Sequence, residues 1–193
     1  MKIDKYSLAV GLLLLWLVFA APADDAAPEV DPELRAALMV AVAKSRDFPH
    51  RFAAEVWLKD MSTRLRKQVP HANRRLELLR LVHTEARAAG LSPNLVLAVI
   101  QVESAFKRYA LSTAGARGLM QVMPFWVDEI GHPEDNLFDM QTNLRYGCTI
   151  LKFYLDKENG NLTRALARYN GSTGSYAYPA RVHRALRKRW YRN

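Results

Sequence analysis

Six consecutive apolar residues, Leu95-Val-Leu-Ala-Val-Ile100, follow a Ser92-Pro93 pair that reads as a helix opening. A helix that is apolar on every side has no face for water and belongs at the centre of a domain, with other elements packed around it. The rest of the chain must supply that coat, and it has the means. Half of its 193 residues are apolar, enough for one compact domain or one domain with a helical extension. A disordered or collagen-like protein is excluded by the same composition. The single cysteine excludes a disulfide framework and any all-cysteine metal site. Cys148 itself lies mid-helix beside Ile150 and Leu151 and reads as a small buried hydrophobe. The histidines at 50, 71, 83, 132 and 183 fall at no metal-ligand spacing. No metal and no cofactor are expected.

The coat reads as helical throughout. Asp31-Pro32-Glu33 opens a first helix carrying Leu34, Leu38 and Val42 on one face. A second follows Pro49, with Phe52, Val56, Met61 and Leu65 at helical spacing. A third covers about 71–89, with Leu76, Leu79 and Ala86 facing one way and Gly90 at its end. Beyond the apolar helix, two short helical pieces are expected around Leu119–Met123 and Phe125–Ile130. Asp139 can cap a long helix to about Asn159, Asn161 another through Tyr169, and Pro179 starts the last one. No stretch alternates at period two.

The N-terminus bears on the compartment. Lys2 and Lys5, an apolar run from Leu8 to Phe19 and then Ala21-Pro22-Ala23 read as a secretory signal cleaved after Ala23; an uncleaved anchor is the alternative. The formal charge is +9. Residues 24–69 hold eight acids and eight bases, so the excess lies almost wholly in residues 70–193. An exported basic domain is expected to meet an anionic envelope polymer or surface rather than nucleic acid. Arg181, Arg184, Arg187, Lys188, Arg189 and Arg192, interleaved with Trp190 and Tyr191, make a basic C-terminal helix. It reads as a peripheral contact for that surface or as a solvated face.

Glu103 is the anomaly. It follows the apolar run, three residues after Ile100 and four after Val99, and shares their face. Desolvation there raises a carboxyl pKa and favours the neutral acid that a general acid needs. The other reading is a helix-end glutamate that reaches solvent or pairs with Lys107.

Around Glu103 the chain resembles a known family. Glu103-Ser-Ala-Phe106, Ala110-Leu-Ser112 and Gly115-Ala-Arg-Gly118-Leu-Met-Gln121-Val-Met-Pro124 are followed by Asn136-Leu-Phe-Asp139, Asn143-Leu-Arg-Tyr-Gly147-Cys148 and Ala165-Leu-Ala-Arg-Tyr169-Asn170-Gly171. Together, in this order and over about 71–185, they resemble the soluble-type lytic transglycosylases (SLT domain), relatives of the lysozymes that cut bacterial peptidoglycan. The resemblance implies an all-α, lysozyme-like single catalytic domain at 71–193, after a signal peptide at 1–23 and an N-terminal helical extension at 24–70. It implies a monomer whose partner is the peptidoglycan glycan strand, in the periplasm.

Residue roles come with the resemblance. Glu103 is the catalytic carboxylate, acid and then base. It protonates the glycosidic oxygen between N-acetylmuramic acid and N-acetylglucosamine, then deprotonates the muramoyl 6-hydroxyl, leaving a 1,6-anhydro end. Gln121 and Asn170 are assigned to the glycan cleft, Ser112 to a place beside the carboxylate, and Tyr169 to a hydrogen bond with it. Met120 is assigned to an apolar wall for a sugar face, with plain core packing as the other reading. After Tyr169-Asn170 the chain departs from many relatives: Tyr176 and Tyr178 either stack on sugar or pack the last helix. Two rival functions are a hydrolytic muramidase and a catalytically silent wall-binding scaffold of an envelope complex. The helices at 31–68 serve a partner or pack over the domain.

Overall fold

The computed structural model describes residues 51–191. The signal-like segment, the helix expected at Asp31 and the N-terminal part of the extension lie outside the described residues. Among the described residues seven α-helices run in order: α1 (Arg51–Leu65), α2 (Ala72–Ala88), α3 (Pro93–Glu103), α4 (Phe125–Ile130), α5 (Met140–Lys157), α6 (Leu162–Tyr169) and α7 (Ala177–Ala185), closed by one π-helical turn (Leu186–Trp190). Among the described residues the only β pairing is isolated bridges, Leu111 with Arg117 and Arg117 with Val122.

The apolar run becomes α3, and every residue from Leu95 to Ile100 is buried. Helices α2 and α7 and the π turn pack around it. Fully burying side chains such as Leu97 and Ile100 stabilises the fold by about 1.5–3 kcal/mol each. Asp139 caps α5 by accepting from the Thr142 N–H at 2.9 Å, and Asn161 caps α6 by accepting from Arg164 N–H at 3.1 Å. Gly90 and Gly160 take left-handed backbone where α2 and α5 end.

The described part of the extension shares this core. Leu58, Met61 and Leu65 are buried with Leu76 and Leu79. Buried Arg75 fastens the turn between α1 and α2: it donates to Ser62 Oγ at 3.0 Å and to the carbonyls of Val69 and Pro70 at 2.7 and 2.6 Å. Val56, expected on the inner stripe, is instead exposed. The face that turns inward is 58, 61, 62 and 65, a spacing that leaves 56 on the outside.

Two expected elements differ. Leu119–Met123 is a tight turn, not a helix: Gly118 and Gln121 both have positive φ, and Arg117 and Val122 exchange backbone hydrogen bonds at 2.9 and 3.0 Å. The last helix begins at Ala177, two residues before Pro179. Proline is tolerated there because the N–H groups of a first turn have no partner within the helix.

Candidate active site

Glu103 is the last residue of α3. The helix stops abruptly: Ala105 and Phe106 both take left-handed backbone, φ 49° and 67°, an uncommon state for non-glycine residues. Two contacts hold this stop. Phe106 is buried and packs edge-to-face on Trp190 at 5.7 Å. Ser104, also buried, donates its hydroxyl to Leu119 O at 2.7 Å, tying the helix end to the glycine turn.

Glu103 is half-buried. Burial pushes its carboxyl pKa above the usual glutamate value, and this outweighs the lowering from a hydrogen bond to Tyr178 and from the Arg181 charge. The negative end of the α3 dipole also disfavours the anion. Tyr178 Oη donates to Glu103 Oε1 at 2.6 Å. Tyr178 is itself buried in the first turn of α7. One turn on, the Arg181 guanidinium lies 5.7 Å from the Tyr178 ring centre. Burial and the neighbouring Glu103 keep the Tyr178 phenol well above its ordinary pKa, so it stays a donor. Lys107, the alternative partner for Glu103, makes no ion pair with it.

The turn facing α3 is fixed from α5 by Asn143, 1% exposed. Its Nδ2 donates to Arg117 O and Leu137 O at 2.9 and 2.8 Å, and its Oδ1 accepts from Met120 N–H at 2.8 Å. All three polar positions of the amide that face protein are used, so the turn has one conformation to offer. Gly118 lets Asn143 approach: a Cβ there would collide with the Asn143 amide and with Leu137 O. Gly147 does the same for Met120, whose side chain occupies the space of the missing Cβ.

The expected site residues separate against this frame. Tyr169 Oη donates to Met120 O at 2.8 Å, not to Glu103. The expected tyrosine–carboxylate bond exists, but Tyr178 makes it; the Met120 carbonyl, presented by the Asn143-held turn, captures Tyr169 first. Burial raises the Tyr169 phenol pKa well above its ordinary value, and the nearby Glu103 charge adds to this. Met120 is fully buried beneath Gly147, so its side chain is core and not a sugar wall. Ser112 bonds across its own turn, its Oγ accepting from Ala116 N–H at 2.9 Å, and makes no hydrogen bond to Glu103. Gln121 donates from Nε2 to Ala110 O and Gly118 O at 3.2 and 3.0 Å, which spends both amide protons and leaves its carbonyl oxygen. Asn170 is exposed at the C-terminus of α6.

Two described carboxylates have partners of their own. Asp139 is the α5 cap and lies 3.9 Å from Arg108. Asp135 accepts from Tyr146 Oη at 2.5 Å. Among the described residues no three His, Cys, Asp or Glu side chains gather as metal ligands. Cys148 is buried and its thiol pKa is pushed up by desolvation.

Residues 80–189 match the family model described as the Transglycosylase SLT domain. The chain belongs to the SLT domain family. Similar proteins include a transglycosylase of Enterobacteria phage PRD1, 35% identical over 92 residues, covering 48% of this chain and 34% of that protein. Membrane-bound lytic murein transglycosylase C of Yersinia pestis (strain Pestoides F) is 33% identical over 113 residues, covering 50% of this chain and 32% of that protein. The chain spans about a third of the length of the curated relatives it matches. Among solved structures, an inactive mutant of lytic transglycosylase Slt from Pseudomonas aeruginosa matches 78% of this chain and 24% of its own, at 29% identity and a TM-score of 0.47. The expectation of an all-α SLT domain is met, and Glu103, Tyr178 and the Asn143-held turn lie within the matched span of this SLT domain.

The basic C-terminus divides in two in this SLT domain. Trp190 is buried and donates to Gln101 Oε1 at 2.9 Å. Arg189 bonds Gln68 Oε1 at 2.5 Å and the Arg64 carbonyl, while Arg64 reaches back to the Arg189 carbonyl. Arg189 ties the C-terminus to the end of α1 and Trp190 ties it to α3, so neither is part of an outward basic face. Arg184, Arg187 and Lys188 are exposed. Sequence reasoning missed Ser104 and Asn143, and left Tyr178 undecided. Asn143 carried a signal: a polar residue followed by Leu144 on the inner face of α5, where only a fully bonded amide is tolerated.

Proposed function

We propose that this SLT domain is a peptidoglycan lytic transglycosylase that cleaves the β-1,4 bond between N-acetylmuramic acid and N-acetylglucosamine and leaves 1,6-anhydromuramoyl ends. The observation that carries the reading is Glu103: a half-buried carboxyl at the end of the central helix, with a raised pKa and held by Tyr178. The protonated carboxyl gives its proton to the glycosidic oxygen as the bond breaks. The resulting carboxylate, now charged, is stabilised by the Tyr178 hydroxyl and the Arg181 charge. It then takes the proton of the muramoyl 6-hydroxyl as that oxygen closes on the anomeric carbon. The departing N-acetylglucosamine keeps the first proton, the muramoyl 6-hydroxyl returns one to Glu103, the C1–O6 bond replaces the glycosidic bond, and the internal nucleophile avoids the entropy of recruiting water. An inverting hydrolase instead needs a second carboxylate about 6.5–9.5 Å away to activate water.

The same reading places the protein in the envelope, exported by the segment 1–23. The proposal keeps an N-terminal extension at 24–70 and a catalytic domain at 71–193, with Gln121 Oε1 and Asn170 as glycan contacts and Ser112 at the rim of the site. The experiment is digestion of purified sacculi with protein taken from the periplasmic fraction, where the chain is expected to begin at Asp24. Mass spectrometry in heavy-oxygen water reads the products. Expected are unlabelled ends one water lighter than hydrolysed ones. Label at most new anomeric carbons would make the protein a muramidase, and intact sacculi would make it a binding protein.

A further inference from the structure

The C-terminal element meets α3 twice. Helix α7 carries Tyr178, whose hydroxyl holds the Glu103 carboxylate, and runs on into the π turn that ends at Trp190. The inward positions of α7 are Tyr178, Val182 and Ala185, a spacing that an α-helix would continue at residue 189. The π turn closes instead through bonds five residues apart, with Tyr191 N–H donating to Leu186 O at 2.6 Å. The inward place therefore passes to Trp190, 1% exposed. Arg189 is left at the edge, where it reaches α1.

Trp190 grips the chain on both sides of Glu103. Its Nε1 donates to Gln101 Oε1 at 2.9 Å, two residues before the carboxylate. Its ring meets Phe106 edge-to-face at 5.7 Å, three residues after it. Between these contacts the chain leaves the helix through left-handed Ala105 and Phe106. Such backbone is unfavourable for residues with a Cβ and persists only where the surroundings hold it. Trp190 is fixed in turn through its neighbour. Arg189 donates to Gln68 Oε1 at 2.5 Å and to the Arg64 carbonyl, and Arg64 donates back to the Arg189 carbonyl. Arg64, Gln68 and Trp190 all lie outside 80–189, the span that matches the SLT family. Support thus reaches Glu103 from beyond both ends of that span.

We propose that Trp190 is a positioning residue for Glu103, and that α1 acts on the carboxyl through the Arg189 tie. The proposal rests on the catalytic reading of Glu103 above. A general acid has to stand within hydrogen-bond reach of the oxygen it protonates. Tyr178 fixes the carboxyl itself, and Trp190 fixes the backbone that carries it. Without the second hold the end of α3 frays toward water. Burial outweighs the Tyr178 bond at this carboxyl, so release into water lowers its pKa and empties the proton that the first step needs.

The test compares five variants with the wild type. Trp190→Phe keeps a ring against Phe106 and loses the bond to Gln101; Gln101→Met loses the same bond from the other side; the double variant completes the cycle. Arg189→Met cuts the tie to α1. Trp57→Phe is the control, because Trp57 Nε1 donates to Asn94 Oδ1 at 3.0 Å, an indole–amide bond of the same kind from α1 to the other end of α3. Two quantities are read: kcat and KM on soluble glycan fragments, and the Glu103 carboxyl titration by carbon NMR, its signal identified by its absence in Glu103→Gln. Trp190→Phe and Gln101→Met should each lower kcat roughly tenfold with KM within about twofold, because a misplaced acid costs turnover rather than binding. In both, the Glu103 pKa should fall toward the ordinary glutamate value. The double variant should lose no more than either single one, and Arg189→Met should move both quantities the same way. Trp57→Phe should lower the melting temperature and move neither. Equal kcat losses in Trp57→Phe and Trp190→Phe, additive losses in the double variant, or an unmoved Glu103 pKa overturns the proposal, and an inert Arg189→Met overturns the part given to α1. A wild type that leaves glycan uncut, with the pKa moving as expected in the variants, would sink the catalytic reading and keep the positioning. One that cuts glycan, with neither quantity moving in the variants, would do the reverse.

Discussion

Replacing Glu103 by glutamine should separate the chemistry of the site from its stability, in opposite directions. The amide keeps the acceptor that Tyr178 Oη reaches at 2.6 Å, so the hydrogen bond survives the change. What disappears is the proton and, above the carboxyl pKa, the charge. Loss of the general acid should lower turnover by about 10²–10⁴-fold. Stability should move the other way. Burial raises the folded-state pKa of Glu103, so the folded protein holds this proton to a higher pH than the unfolded chain does. The stability this gives the wild type is fully present below the ordinary glutamate range and is lost as pH rises through the folded value. Above that value the wild type carries a partly desolvated charge that the glutamine variant does not. At pH 7 the variant should therefore be more stable by on the order of 1 kcal/mol, roughly 3 °C in melting temperature for a domain of this size. Below about pH 4, where the carboxyl is neutral in both states, the two proteins should melt together. Thermal denaturation of both from pH 3.5 to 8, alongside product release from sacculi, measures both effects. A wild type more stable than the variant at pH 7, or a gap that does not change with pH, would show that Glu103 is not held in its neutral form by burial. Retained turnover would remove it from the mechanism.

Two further perturbations test the frame around it. Tyr178→Phe removes the donor that favours the Glu103 anion, so the carboxyl pKa should rise further and the alkaline limb of the activity profile should move to higher pH; Tyr169→Phe, which loses only the bond to Met120 O, should lower the melting temperature and leave that limb in place. The reverse pattern would return the positioning role to Tyr169. Asn143→Ala strips three hydrogen bonds from the turn at 117–120 and should cost about 3 kcal/mol in urea denaturation; a loss below about 1 kcal/mol would mean that the turn holds itself.

The helices were legible because their signals are local. Asp139 and Asn161 announce their caps, Gly90 and Gly160 their stops, and the run 95–100 its central place. The errors fall where tertiary partners decide. Leu119–Met123 has helical composition, but the chain takes a turn because Asn143, more than twenty residues away, satisfies its backbone groups and Gly118 admits the approach. Arg189 and Trp190 look like parts of a solvated basic helix, since nothing within their own segment shows that Gln68, Arg64 and Gln101 will claim them. Val56 was misplaced because the inward stripe of α1 is set by which face meets α2, and a periodic pattern alone fixes the spacing of a stripe more firmly than its phase.

The tyrosine at the carboxylate shows where such reading stops. Two tyrosines nine residues apart, 169 and 178, were both available, and the motif carrying Tyr169 made it the expected donor. Hydrogen bonding to a buried acceptor depends on which acceptor each hydroxyl meets. Tyr169 ends α6 against the turn at 117–120, and its hydroxyl donates to the Met120 carbonyl there, while Asn143 accepts from the Met120 N–H. With that carbonyl satisfied by Tyr169, Glu103 is left to Tyr178. The early start of α7 at Ala177 then matters: it puts Tyr178 in the helix's first turn and Arg181 one turn on, so that one short element brings both a hydroxyl and a positive charge to bear on the carboxylate. The loop between the two tyrosines, which departs from the family pattern, therefore sets the position of the residue that supports the acid. Altering the length of that loop should disturb Tyr178 before it disturbs Tyr169, because Tyr169 is fixed by α6 and the turn, whereas the helix that carries Tyr178 begins directly after the loop.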